Sequence, residues 1–159
     1  MDMQQSAKII ECNFEDPEHL KAIGELTAAY MLDPMGGGER MADHVKENLS
    51  AVLSAHPAKL VLLARVNENY VGICTAFIGI STFYARPYFN VHDIAVLPAY
   101  RGQGIGRQLL ERIIAIARER NYCKVTLEVR HDNLPAQHLY RELGFADTEP
   151  PMYFWTKWL

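Results

Sequence analysis

The hydrophobic positions of this chain change period repeatedly, and each change predicts an element. Ala7 to Cys12 reads as a short strand. Asp16-Pro17 then has the form of a helix start, with Asp16 as the cap and Pro17 at the first helical position. Leu20, Ile23, Leu26 and Ala29 or Tyr30 follow at helical spacing, until Asp33-Pro-Met-Gly-Gly-Gly38 breaks the run. A second helix is predicted from Glu39 to Ala55, with Met41, Val45, Leu49 and Val52 on one face. Lys59 to Asn67 and Tyr70 to Phe83 are predicted strands joined by Asn67-Glu-Asn69, which makes them a hairpin. Phe89 to Leu97 is a further strand after the loop Ala85 to Tyr88. The helical period returns from Ile105 to Arg120, where Ile105, Leu109, Leu110, Ile113, Ile114 and Ala117 face inward. Lys124 to Val129 alternates as a strand, and Asn133 to Leu143 reads as a helix closed by Gly144. Phe145 to Thr148 and Met152 to Trp158 complete the pattern as two closing strands. Strands and helices mixed in this order predict an α+β domain in three layers.

Between the strand 89–97 and the helix 105–120 lies Arg101-Gly102-Gln103-Gly104-Ile105-Gly106. Three glycines in five positions open backbone conformations closed to other residues. Several N–H groups then converge where the following helix presents the positive end of its dipole. That arrangement suits a phosphate or pyrophosphate; a plain helix-capping loop is the alternative. No Lys-Ser or Lys-Thr follows, which excludes a P-loop, and the glycine spacing is not that of a dinucleotide fingerprint.

What fits is Arg/Gln-x-x-Gly-x-Gly/Ala, filled by Arg101, Gly104 and Gly106. Some 27 residues further on, Asn133-Leu-Pro-Ala-Gln-His-Leu-Tyr140 leads to Gly144-Phe145, filling every defined position of Asn-x-x-Ala-x-x-Leu-Tyr-x-x-x-Gly-Phe. Together these resemble the GNAT superfamily of acyl-CoA-dependent N-acyltransferases, specifically over residues 89–146 and by element order before that. The resemblance implies the GNAT acyl-CoA N-acyltransferase fold, a mixed, mostly antiparallel sheet flanked by helices, in a single domain over residues 1–159. It also implies acetyl-CoA as co-substrate. Pantetheine would enter a splay between the strands 89–97 and 124–129 and pair with backbone of Ile94, Ala95 and Val96. The pyrophosphate would lie on the amides of Arg101, Gly102, Gln103, Gly104, Ile105 and Gly106. A backbone N–H near Ile94 to Val96 would polarise the thioester carbonyl.

Tyr140 is then the candidate for the leaving thiolate, with a buried packing tyrosine as the alternative. Asn133 caps its helix or touches the pantetheine arm. His92 is the candidate base; period-two alternation sets it on one strand face with Asn90, Ile94 and Val96, and Asp93 on the other. Glu128, on the neighbouring strand, is a further candidate. For the acceptor the resemblance points to Tyr30, Asp33, Phe83, Tyr84, Asn90 and Glu128, with Tyr88, Phe89 and a mobile Gly36–Gly38 loop nearby.

Bulk properties narrow the class. A chain of 159 residues matches one domain. A net charge of −3 is no nucleic-acid footprint. Cys12, Cys74 and Cys123 are scattered, without a Cys-x-x-Cys pair, as in a reduced cytoplasmic protein, and no metal-ligand spacing occurs. The first residues lack a signal-peptide pattern, and no apolar run is long enough for a membrane span. The apolar ending Met152-Tyr-Phe-Trp-Thr-Lys-Trp-Leu159 predicts a homodimer. The expected activity is acetyl transfer to a primary amine of a small molecule. A protein lysine or N-terminal acetyltransferase, or a non-catalytic acyl-CoA sensor, remains open.

Overall fold

A computed structural model describes residues 7–159, so the N-terminal residues read above as unlike a signal peptide lie outside the described residues. The chain divides into two compact units, residues 1–128 and 129–159.

The first unit is built on a five-stranded sheet in the order β1-β2-β3-β4-β5. Its strands are β1 Lys8–Glu11, β2 Lys59–Val66, β3 Asn69–Ser81, β4 Arg86–Val96 and β5 Val125–Leu127. Each neighbouring pair is antiparallel except β4 and β5, which run parallel. The parallel pair needs a crossover, supplied by α3, Ile105–Glu119.

Two apolar layers cover the sheet because its strands alternate. Leu60, Leu62 and Ala64 of β2, with Cys74 and Ala76 of β3, pack toward Ile105, Leu109, Ile113, Ile116 and Ala117 of α3. Val61, Leu63 and Ile73 point the other way, onto Ala22, Ile23 and Leu26 of α1 (Pro17–Leu32) and Leu53 of α2 (Asp43–Ala55). Fully burying a side chain such as Leu109 stabilises the fold by about 1.5–3 kcal/mol.

Asp16 caps α1, its Oδ1 accepting the Glu18 N–H at 2.9 Å. The second helix begins later than its sequence pattern suggests. It buries Leu53 and half-buries Leu49, while Val45 and Val52 are exposed. Met41 is buried but precedes the helix. With the start at Asp43, the i, i+4 pair Leu49–Leu53 is what meets the sheet.

One irregularity matters for the site. Thr75 pairs with Asp93 but Ala76 pairs with Val91, which leaves His92 as an extra residue in β4. Such a bulge reverses the alternation. Phe89 and Val91 before it, and Ile94 and Val96 after it, all lie with the α3-side core. Ala95 belongs to the α1-side cluster, and Asp93 is paired across the strand with Thr75, between Ile73 and Phe77 of that same side. His92 therefore does not share a face with Ile94 and Val96, and Asp93 does not face away from His92.

In the second unit, α4 (Leu134–Glu142) is capped by Asn133, whose Oδ1 accepts the Ala136 N–H at 3.3 Å. Gly144 follows in the left-handed region, φ +88°, where a side chain is disfavoured. The two closing strands expected after it do not form: residues 145–159 carry no regular structure. Pro150 and Pro151 remove two N–H donors from any ladder there. Met152, Tyr153, Phe154, Trp155, Trp158 and Leu159 are exposed, Trp155 at 85%.

Candidate functional site

The site assembles where β4 outruns β5. Their pairing covers only Phe89–Val125, Asn90–Thr126 and Val91–Leu127. Beyond Val91, β4 continues to Val96 paired on its β3 side. The Leu97 N–H donates to the Val71 carbonyl at 2.8 Å, which fixes the phase of that ladder. By alternation Ile94 and Val96 turn their N–H and C=O groups away from β3, toward the side β5 has left. This is the divergence the resemblance implies for an extended ligand, with the Val96 carbonyl already accepting a bond from Arg101 Nε.

After the turn Pro98–Tyr100 comes the glycine loop. Gly102 and Gly104 have φ of +75° and +78°, conformations that L side chains rarely adopt. Gly104 is the residue before α3, and no side chain caps that helix. The Arg101 amide donates to the Pro98 carbonyl at 3.3 Å. Among the described residues, the amides of Gly102, Gly104, Ile105 and Gly106 have no acceptor. A Cβ placed on Gly102 or Gly104 would meet nothing within 4 Å, so the space before these amides is open. Orphaned amides at a helix N-terminus fit a pyrophosphate.

Beside the end of β4, Leu26, Ala29 and Tyr30 of α1 line a hollow with Ala95, Val96, Leu97, Pro98 and Arg101, enclosing about 210 Å³ out to solvent. Arg101 crosses its rim. Its Nε donates to the Val96 carbonyl at 2.9 Å and its guanidinium meets Asp33 Oδ2 at 2.7 Å. The hydrogen bond from Arg101 and that from the Met35 N–H hold the Asp33 carboxyl below its ordinary range. Asp33, expected to meet an acceptor ammonium, is thus already paired with a cation of the chain itself. The loop after it closes on the same residue: the Gly36 and Gly38 amides donate to the Asp33 carbonyl at 2.8 and 3.0 Å.

On the α1 side of the sheet, the Asn90 amide donates to Thr126 Oγ1 at 3.1 Å and Glu128 Oε1 at 3.3 Å, joining β4 and β5 at their divergence. The exposed His92 ring stands edge-on to Phe77 at 5.4 Å, and His56 does the same from the other side at 5.2 Å. Burial raises the Asp93 carboxyl above its ordinary range, while neighbouring His92 pulls it down. Neither the bulge nor the His56–Phe77–His92 group leaves a local sequence signal, since both depend on cross-strand register.

Other expected residues of the first unit lie apart. Phe83, 96% exposed, and Tyr84 sit at the β3–β4 hairpin tip, and the six residue steps of β4 from Arg86 to His92 span roughly 20 Å of strand. Phe89 is fully buried against Tyr122 and belongs to the core. Tyr88 lies over Gly79, where a Cβ would meet its ring at 2.6 Å. In the second unit, Tyr140 is buried on α4, its ring 6.0 Å from that of Phe145.

Thiol chemistry is disfavoured: burial pushes Cys12 up to about 11 and Cys74 to about 12, so neither is a thiolate at neutral pH. Among the described residues, no three His, Cys, Asp or Glu side chains group as metal ligands, and no helix is long and apolar enough to cross a membrane.

Comparison with known proteins gives this geometry a context. Residues 24–145 match the acetyltransferase (GNAT) family. The chain is 40% identical over 75 residues to streptothricin acetyltransferase of Streptomyces lavendulae. It is 43% identical over 90 residues to the N-alpha-acetyltransferase RimI of Mycobacterium tuberculosis. These stretches cover 47% and 52% of this chain and span 40% and 55% of those relatives. A crystal structure of a probable acetyltransferase superposes with a TM-score of 0.81 at 21% identity, covering 96% of this chain and 98% of the other. An aminoglycoside acetyltransferase from an uncultured soil metagenomic sample, in complex with sisomicin, superposes at 0.77 with 20% identity, covering 96% and 97%.

Proposed function

The chain belongs to the GNAT acetyltransferase family, whose members use acetyl-CoA, and from that premise we propose that it moves the acetyl group of acetyl-CoA to a primary amine of a small molecule. The observation that carries this reading is the continuity of β4 backbone turned toward the splay with the free amides of Gly102, Gly104, Ile105 and Gly106. An extended pantetheine arm and a pyrophosphate need those two features in that order.

In the reaction the amine nitrogen attacks the thioester carbonyl carbon. The C–S bond breaks, an amide forms, and the ammonium proton is lost. A backbone N–H at Ile94 to Val96 stabilises the oxygen as charge develops on it. Tyr140 gives its proton to the departing thiolate. His92, the unpaired residue of the bulge, takes the acceptor's proton directly or through water, with Glu128, the residue after β5, as the alternative base.

A second reading, acetylation of a protein N-terminal amine, is favoured by the relative named as an N-alpha-acetyltransferase. Thiol release from acetyl-CoA, followed with a panel of small primary amines and with short peptides, separates the two. Faster turnover of the small amines is expected; turnover restricted to peptides would overturn the choice of acceptor.

An alkyl ammonium titrates near pH 10, so at neutral pH it must shed a proton before attack. His92→Ala is therefore expected to lower kcat/KM most at pH 6–7, with the loss shrinking as pH approaches the amine's own range. A loss equal at all pH values would assign His92 a positioning role, and no loss would move the base to Glu128 or water.

We also propose that the chain works as one domain and as a homodimer in the cytoplasm. The exposed aromatic residues of 152–159 support self-association, being too apolar for a solvated tail. Light scattering at micromolar concentration should give twice the 18.1 kDa chain mass; a clean monomer would refute it.

A further inference from the structure

Arg101 is the first residue of the glycine loop, yet its side chain bonds outside that loop. It reaches back to the Val96 carbonyl and across to Asp33, 68 positions earlier in the chain. Both contacts are with groups that matter. Val96 is one of the two β4 residues whose backbone faces the splay. Asp33 is the hub of the α1–α2 loop: Oδ1 accepts the Met35 N–H at 2.9 Å, its carbonyl accepts the Gly36 and Gly38 amides, and its own N–H closes α1 on the Ala29 and Tyr30 carbonyls. Asp33 is also well covered, its side chain only 14% exposed. Gly36 lies so close to the end of α1 that a Cβ there would collide with the Tyr30 carbonyl.

We propose that the Arg101–Asp33 pair is a positioning strut that reports arrival of acetyl-CoA to the α1–α2 loop and so sets the acceptor side of the site. The inference rests on the acetyl-CoA reading above. A pantetheine arm that pairs with β4 competes with Arg101 for the Val96 carbonyl. Once displaced, the guanidinium keeps a single protein partner, Asp33, and a charge-assisted bond in a half-covered position strengthens as competing partners are removed. The loop amides that close on Asp33 are then held more firmly. Linkage makes the effect reciprocal: an acceptor that orders this loop improves acetyl-CoA binding by the same factor.

The test is hydrogen exchange on the full chain with and without saturating acetyl-CoA, with binding checked by calorimetry. In the wild type, acetyl-CoA should slow exchange at Met35, Gly36 and Gly38 by about fivefold or more. Asn at position 33 can still accept the Met35 N–H but offers no charge to Arg101. Asp33→Asn should therefore bind acetyl-CoA and reduce that slowing to less than about twofold. Arg101→Gln, which removes the cation and leaves Asp33 in place, should do the same. The response, rather than the basal exchange rate, is what a merely structural ion pair would not alter. Acetyl-CoA binding with no loop response in the wild type, or with the same response in both variants, overturns the strut and leaves the acetyltransferase reading intact. Failure of the wild type to bind acetyl-CoA at all overturns both.

Discussion

Gly104→Val is expected to abolish acetyl-CoA binding, lowering affinity by about two orders of magnitude or more while the chain still folds. Two effects act together. Gly104 sits at φ +78°, where a non-glycine residue costs roughly 1–2 kcal/mol and a β-branched one is a clear outlier. That strain moves the amides of 104–106 out of register with one another. The added isopropyl group also projects into space that is open within 4 Å, the space a pyrophosphate would fill. Because no protein atom is displaced, the cost to folding is confined to backbone strain, a shift of a few degrees in Tm. Calorimetry with acetyl-CoA and a thermal melt of the same sample separate binding from folding. Unchanged affinity in a folded Gly104→Val protein would mean the loop is only a helix cap.

Tyr140→Phe should lower kcat by about one to three orders of magnitude while acetyl-CoA affinity stays within about twofold. The ring packs edge-on to Phe145 and α4 is closed by backbone bonds from Leu143 and Phe145 to the Tyr140 carbonyl. Phenylalanine keeps both of these contacts and removes the hydroxyl. A leaving thiolate that loses its proton donor raises the barrier of C–S cleavage, which appears in kcat rather than in binding. Turnover unchanged with the best amine would make Tyr140 a packing residue.

The elements most readable from sequence were those whose pattern is local. α1 began at Asp16-Pro17 because capping chemistry lies within a few residues. The helix after the glycine loop was announced by six apolar positions, all placed on its inner side or half-buried. The failures share a different cause. Val45 and Val52 satisfied a helical period with Leu49, but of these only Leu49 packs on the sheet, joined by Leu53, while Val45 and Val52 face solvent. The segment 152–158 has strand composition, yet a strand exists only where a neighbouring edge accepts its hydrogen bonds, and residues 145–159 form no ladder.

By itself the sequence determined the mixed, mostly antiparallel sheet flanked by helices and the place of the glycine loop between β4 and α3. It also determined the family, because two motifs at fixed separation are a property of the chain. Tertiary structure alone decided which way the β4 side chains point. A one-residue bulge at His92, visible only against β3, sends Ile94 and Val96 to the α3 core and turns Asp93 toward α1. It alone joined Arg101 to Asp33, two residues 68 positions apart whose pairing no local pattern encodes. Capping, turn and helix-period signals are written in neighbouring residues; register and long-range ion pairs are fixed by where whole elements come to rest.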